Sequence, residues 1–342
     1  MPSTKTISEP RVRRNGKRPG KALATDPTRR RYHDVRDLIA SPRNPTPLLG
    51  LHHVVAPAVE AYLKLEWMNP FGSIKDRTAR YLLEGLRARG ELEGHELVEA
   101  TSGNTGIALA ALAALEGIPL TVTIPSGVPG EKLVLLRMLG ATVLPTPDEL
   151  CPVDHPRDGA IALARSIAES PRYRGRYAMP NQYGNPDNVR AHYETTGPEI
   201  WEQTEGRVRT FVAGYGTCGT ITGVGRFLKE RDRSIRIVAV EPQRGHHLPG
   251  LKNMEEAKTP DILDPSVVDD VVRVDDDPAY AMTKRLFREE ALIVGPSTGA
   301  IVHAINELGD AVEGPVVGVS PDGGQKYASF FAKYVDDDAT TP

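Results

Sequence analysis

Four short strings in this 342-residue chain set amine-bearing, hydroxylated or glycine-rich residues where an extended run gives way to a helical pattern. The first runs from Lys64 to Arg77 (KLEWMNPFGSIKDR) and puts Lys75 at the start of a helix. A cation there opposes the helix macrodipole, so the position favours a neutral amine or an imine over an ammonium. A lysine kept neutral is a nucleophile toward carbonyl carbon. Taken alone, the string also reads as the start of an amphipathic surface helix.

The second string, Val98 to Gly106 (VEATSGNTG), crowds Thr101, Ser102, Asn104 and Thr105 around Gly103 and Gly106. Backbone N–H groups and hydroxyls at such a turn form a pocket for a carboxylate, and the α-carboxylate of an amino acid is a natural guest. Asn104 can in addition donate to a phenolate oxygen. Helix capping by Ser102 or Asn104 is the simpler reading, but it leaves the crowding unexplained.

The third string, Val212 to Gly223 (VAGYGTCGTITG), is a phosphate cradle by composition: glycines expose N–H groups, and Thr217 and Thr220 add hydroxyl donors at a helix start. It also satisfies a dinucleotide pattern through Gly214, Gly216 and Gly219, with Glu241 about 20 residues on where a ribose-binding acid belongs. An NAD-dependent oxidoreductase therefore stands as an alternative, although it leaves Lys75 and Asn104 without a task. In the fourth string, Val294 to Ala300 (VGPSTGA), Ser297 either caps a helix or faces an aromatic nitrogen. A neutral hydroxyl does not hold such a nitrogen protonated as an aspartate would, which favours loss of a β-leaving group over transamination.

The elements that position these strings alternate, β-branched runs followed by helical patterns, and predict an α/β fold with parallel sheets. Strands are expected at Ala61–Leu65, Glu96–Glu99, Leu120–Ile124, Thr142–Leu144, Thr210–Ala213, Arg236–Val240 and Val316–Val319. Helices are expected at Lys75–Ala88, Thr105–Leu115, Gly130–Met138, Asp158–Glu169, Gly219–Lys229, Pro278–Glu289 and Thr298–Leu308. The stretches Thr146–Arg157 and Pro242–Asp270 read as loops or insertions.

This length suits two packed domains with a cleft between them. A formal net charge of −3 gives no general attraction to nucleic acid or membrane. Cys151 and Cys218 stand far apart, with neither a disulfide framework nor metal-ligand spacing, which suits a reducing cytoplasm and no metal site. No run approaches the length of a membrane span, and the N-terminus lacks the apolar stretch of a secretory signal. Arg11 to Arg31 is basic, poor in apolar residues and without amphipathic period, and reads as a disordered tail rather than a nucleic-acid arm or a transit peptide.

Taken together, the four strings resemble the fold-type II pyridoxal 5′-phosphate (PLP) enzymes, and within them the cysteine synthase and cystathionine β-synthase group, over roughly Thr46 to Tyr334. The resemblance implies two three-layer αβα domains with mostly parallel sheets and PLP in the cleft. Residues 32–77 plus 189–335 would form the larger, PLP-binding domain and 78–188 a smaller mobile one, between a basic tail at 1–31 and an acidic tail at 336–342. It makes Lys75 the Schiff-base lysine, Asn104 the partner of the cofactor 3′-oxygen, Gly216, Thr217, Cys218, Gly219 and Thr220 the phosphate loop, and Ser297 the partner of the ring nitrogen. Thr101, Ser102, Gly103 and Thr105 become the loop that closes on the substrate carboxylate, with Gln182 as companion.

Departures are Phe71, where a small residue is usual, and Cys218, where many members have glycine; the latter should matter little if only its N–H binds. The implied reaction replaces the β-substituent of O-acetylserine or O-phosphoserine with a sulfur nucleophile to give cysteine, with homocysteine as the acceptor in the cystathionine β-synthase alternative. Lys252, in the string Gly245 to Met254, resembles a basic residue that meets the phosphate of O-phosphoserine, and reads equally as a solvated lysine in a polar loop. Partners implied are the small-molecule substrates, a second copy in a homodimer, and a sulfur-carrier protein as one source of sulfur. A silent binding scaffold is the remaining alternative.

Overall fold

The computed structural model describes residues 30–148, 159–309, 312–332 and 335. Most of both tails, Cys151 and most of the Thr146–Arg157 loop lie outside these residues.

Two sheets organise the chain. The larger has the order β1-β2-β10-β7-β8-β9, built from β1 (Leu48–Gly50), β2 (Ala61–Leu65), β7 (Thr210–Gly214), β8 (Arg236–Pro242), β9 (Asp270–Val274) and β10 (Val316–Ser320). All its pairings are parallel except that of β1 with β2. The smaller has the order β5-β4-β3-β6, from β3 (Glu96–Ala100), β4 (Leu120–Pro125), β5 (Thr142–Thr146) and β6 (Tyr177–Ala178), all parallel.

The central strands are buried on both faces, which explains their unbroken apolar character. Phe211, Val212, Ile237, Val238, Val316 and Val317 of the larger sheet join Ile221, Val224 and Leu228 of α7 (Gly219–Arg231) and Ile301, Val302 and Ile305 of α9 (Pro296–Leu308) in one core. Leu97, Val122 and Ile124 of the smaller sheet pack with Leu83 and Leu86 of α1 (Lys75–Ala88), with α2 (Asn104–Glu116) and with Leu136 of α3 (Gly130–Met138) in a second. Every residue from Thr105 to Ala113 is buried, so α2 is covered all round.

All seven expected strands form, most of them a residue or two longer, and all seven expected helices form, three from the expected residue and four with shifted starts. Thus α4 (Ala160–Glu169) begins at Ala160, α8 (Asp276–Glu289) at Asp276 and α9 at Pro296, whose lack of an N–H is harmless at the first helical position. The alternation missed β1, β6 and β9, each short or at a sheet edge. It also missed the helical stretch formed by α5 (Asp187–Ala191), a π turn (His192–Thr196) and α6 (Gly197–Gln203), in which the π turn shifts the helical phase and Pro198 sits at the next helix start. Among the described residues no helix is long and apolar enough to cross a membrane.

One charged cluster ties these parts together. Arg77, two residues past Lys75, bonds Glu66 at 2.7 Å and Glu199 at 2.5 Å, and Lys64 bonds Glu199 at 2.7 Å. All four side chains are fully buried, so β2, α6 and the first turn of α1 are clamped by two positive and two negative groups.

Candidate active site

The carboxyl ends of β3, β7 and β10 converge on one cavity, as ligand sites in open parallel sheets do. Lys75, Ser102, Asn104, Thr105, Gln182, Gly216, Thr217, Cys218, Thr220, Lys252 and Ser297 line it. Thr101, Gly103 and Gly219 lie behind its wall.

Lys75 is the first residue of α1. Its N–H donates to Ser73 Oγ at 3.2 Å, and the preceding turn is held by Phe71 N–H donating to the Asp76 carboxylate at 2.6 Å. Burial brings the Lys75 amine down to about 8, although Cys218 and Asp322 nearby pull the other way. Burial likewise pushes the Asp76 carboxyl up to about 7.

The Lys75 amine lies 3.4 Å from Thr217 Oγ1. That oxygen also accepts from Asn188 Nδ2 at 3.1 Å, so the Thr217 hydrogen is left to donate to a group in the cavity. Asn188 in turn donates to Gln182 O at 2.8 Å and accepts from Thr78 Oγ1 at 3.0 Å, joining α1, the Gln182 segment and the loop ahead of α7. A Cβ on Gly219 would stand 2.2 Å from Asn188 Oδ1, so only glycine allows this approach.

Cys218 has φ of +66°, in the left-handed region where glycine sits without strain. Its replacement of glycine therefore carries a backbone cost beyond what its N–H alone suggested. Burial pushes its thiol up to about 12, so it stays protonated and is no nucleophile.

The loop after β3 is shaped from within. Thr101 Oγ1 accepts from the N–H groups of Gly103 at 2.9 Å and Gly106 at 3.2 Å, which leaves Thr101 as a former of the loop rather than part of the wall. Neither Ser102 nor Asn104 caps α2: Gly103 occupies the cap position without a side-chain bond, and Asn104 is the first helical residue. Thr105 Oγ1 donates to Gln182 Oε1 at 2.6 Å, and Gln182 Nε2 donates to Ala100 O at 2.7 Å. Glu99 accepts from Asn181 N–H at 2.6 Å and Gln182 N–H at 3.2 Å, and burial pushes its carboxyl up to about 8.

Ser297 sits inside the first turn of α9, with Gly295 at the cap, so it is no capping residue either. Lys252 is 4% exposed, its amine 4.8 Å from the centre of the Tyr183 ring; it belongs to the wall and not to a solvated loop. The dinucleotide alternative fails on Glu241, whose carboxylate is spent on Met254 N–H at 2.8 Å and Arg273 Nε at 3.2 Å and does not line the cavity.

Four contributors went unseen in the sequence. Asn188 and His192 come from the missed helical stretch, His192 contacting Thr78 and Thr220 hydroxyls at 3.3 Å each. Asp322 and Lys326 follow β10; the expected strand Val316–Val319 could have flagged them, because residues just past the end of a parallel strand face the ligand crevice.

Residues 39–324 match the family model described as pyridoxal-phosphate dependent enzyme. The chain belongs to this pyridoxal-phosphate-dependent enzyme family. Cysteine synthase B of Salmonella typhimurium is 39% identical to it over 272 residues, 79% of this chain and 87% of that protein. Among solved structures, O-ureido-L-serine synthase superposes with a TM-score of 0.80 at 32% identity, covering 90% of this chain and 98% of that one. A cysteine synthase from Entamoeba histolytica gives 0.79 at 30% identity over 93% and 95% of the two chains.

The cavity of this pyridoxal-phosphate-dependent enzyme fits its cofactor. It offers an amine kept from full protonation for the aldehyde, and helix N-terminal N–H groups with hydroxyls for the phosphate. The close approach at Gly219, which a Cβ would block, lets the head of α7 reach that position.

Proposed function

We propose that this chain is a cysteine synthase, replacing the β-substituent of O-acetylserine or O-phosphoserine with a sulfur nucleophile to give L-cysteine. The observation that carries the reading is the convergence of Lys75, Asn104, Thr217 and Ser297 on one cavity. Similarity to cysteine synthases over most of the chain supports the reaction class.

When bound, PLP supplies an electron sink that acidifies the α-proton of the attached amino acid. On this reading the Lys75 amine would hold the cofactor aldehyde in the resting enzyme. The freed Lys75 amine, brought down to about 8, then takes the α-proton as the β-substituent leaves, and returns it after the nucleophile has added. Thr217, Thr220 and the N–H groups of Gly216, Cys218 and Gly219 hold the phosphate, Asn104 the 3′-oxygen and Ser297 the ring nitrogen. Ser102, Thr105 and Gln182 receive the substrate carboxylate on a loop shaped by Thr101 and Gly103.

The burial of Lys252 in the cavity wall favours O-phosphoserine as donor, because a phosphate dianion needs a cation aimed at it and acetate does not. Residues 78–188, which contain the smaller sheet, act as the mobile domain against 32–77 plus 189–335. A homodimer in a reducing cytoplasm, with sulfide or a carrier-protein thiocarboxylate as sulfur source, completes the proposal.

Borohydride reduction of the purified protein followed by peptide mapping tests the reading. A cofactor adduct on Lys75, absent from Lys75→Ala, supports it. Cofactor bound with no adduct at Lys75, or cysteine formation by Lys75→Ala at the native rate, discards it.

A further inference from the structure

Among the described residues lining the cavity stands one carboxylate, Asp322, 2% exposed and just past the end of β10. Its Oδ2 accepts from Asn104 Nδ2 at 2.6 Å and from the Tyr327 hydroxyl. The Tyr327 oxygen accepts from Lys132 Nζ at 2.9 Å, and this ammonium also lies 4.2 Å from the centre of the tyrosine ring. Lys132 and Tyr327 are each 1% exposed. On the other side of Asn104, Lys326 Nζ donates to Oδ1 at 3.3 Å and to the carbonyls of Phe71 at 2.8 Å and Gly72 at 3.0 Å.

A carboxylate only accepts and an ammonium only donates, so Asn104, placed between the two, has a single amide orientation. One Nδ2 hydrogen goes to Asp322, which leaves the second for the cavity. The chain of contacts reaches further, since the Lys132 side chain runs beneath the carboxylate loop: a Cβ on Gly103 would lie 2.5 Å from Lys132 Cδ. The backbone of the same segment is fixed at both ends of the site, by Ile74 N–H donating to Pro321 O at 2.8 Å and Gly295 N–H donating to Asp322 O at 3.0 Å. Asp322 Oδ1 is buried without a hydrogen-bond partner, an uncommon state for a carboxylate whose role is only structural.

We propose that Asp322, held by Tyr327 and through it by Lys132, is a positioning residue for this reaction: it sets the Asn104 amide that faces the cofactor 3′-oxygen. The inference rests on the PLP reading above. Asp322→Asn puts a group that both donates and accepts beside Asn104, leaving the amide only the longer 3.3 Å contact from Lys326 to orient it, and Tyr327→Phe removes the donor that holds the carboxylate.

The test uses the holoenzyme carrying Asp322→Asn, Tyr327→Phe, both together, or Lys132→Met. Asp322→Asn and Tyr327→Phe are each expected to shift the visible absorption band of the bound cofactor and to lower kcat about tenfold, the loss of one hydrogen bond to a charged group, with the donor KM changed less. The double variant is expected to be no worse than Asp322→Asn alone, because the pair acts as one unit. Lys132→Met moves the band in the same direction and raises the donor KM through the Gly103 loop. An unmoved band with kcat within about twofold of the parent overturns the proposal, as does an effect that appears only as a lowered Tm. Borohydride mapping of the parent separates the two levels: an adduct at Lys75 with unresponsive variants defeats the positioning role alone, whereas no adduct at Lys75 defeats the cofactor reading and this role with it.

Discussion

The Lys75 amine and the Thr217 hydroxyl, 3.4 Å apart, join the first turn of α1 to the loop that opens α7. Two segments 142 residues apart in the chain thus meet at one oxygen atom. On the proposed reading Thr217→Val removes a phosphate donor and a partner of both Lys75 and Asn188. Cofactor affinity, measured by equilibrium dialysis of the apoprotein against PLP, is expected to fall roughly tenfold, about 1.4 kcal/mol. Unchanged affinity would show that the Thr217 hydrogen is not directed at the phosphate.

Lys252 lies in the wall beside Tyr183, and its removal separates the two donors. With Lys252→Ala, kcat/KM for O-phosphoserine is expected to drop about 10- to 100-fold, while that for O-acetylserine changes little, since a lost charged hydrogen bond is worth about 1.5–3 kcal/mol. Equal loss on both donors would make the lysine a packing residue.

Arg77 is surrounded by acids in a dry environment, so its truncation strands charge. Arg77→Met leaves Glu66 and Glu199 facing only Lys64 and is expected to cost about 3–5 kcal/mol in urea unfolding. The exposed pair Arg80–Glu84, three residues along the same helix, serves as the contrast: Arg80→Met should cost no more than about 0.5 kcal/mol.

Burial pulls His192 down from 6.5 to about 3, so the native state keeps this ring neutral where the unfolded chain takes up a proton. The sign follows: stability present above pH 6.5 is lost as pH falls from 6.5 toward 3, at about 1.4 kcal/mol per pH unit. Glu99 has the opposite sense. Its carboxyl, pushed up to about 8, stays protonated in the native state, and stability present below 4.5 is lost as pH rises from 4.5 toward 8. His192→Gln is expected to flatten the acid side of the stability–pH curve while leaving the other side in place; a curve unchanged between pH 6 and about 4 would refute the neutral histidine.

The four strings at Lys75, Asn104, Thr217 and Ser297 were readable because each lies at a strand-to-helix junction, where local chemistry and local geometry coincide. Strands such as Thr210–Gly214 announced themselves by being buried on both faces. What escaped lacked such a local signal. Lys132 and Tyr327 matter through contacts made across the fold that nothing in their immediate neighbours announces, and Asp322 had only its place just past the end of β10 to mark it. The Asp187–Gln203 helical stretch was hidden by its π turn, which puts its buried faces out of step with a regular helix. Lys252 was left between two readings by its polar loop, and it lies in the cavity wall with its amine 4.8 Å from the centre of the Tyr183 ring.

The quartet of Lys64, Glu66, Arg77 and Glu199 also limits how this lineage can change. With equal numbers of opposite charges sealed from water, no single replacement is neutral, and drift at one position must be matched by drift at another. The ground beneath the lysine helix is therefore expected to diversify in pairs, while the rim of the molecule varies one residue at a time.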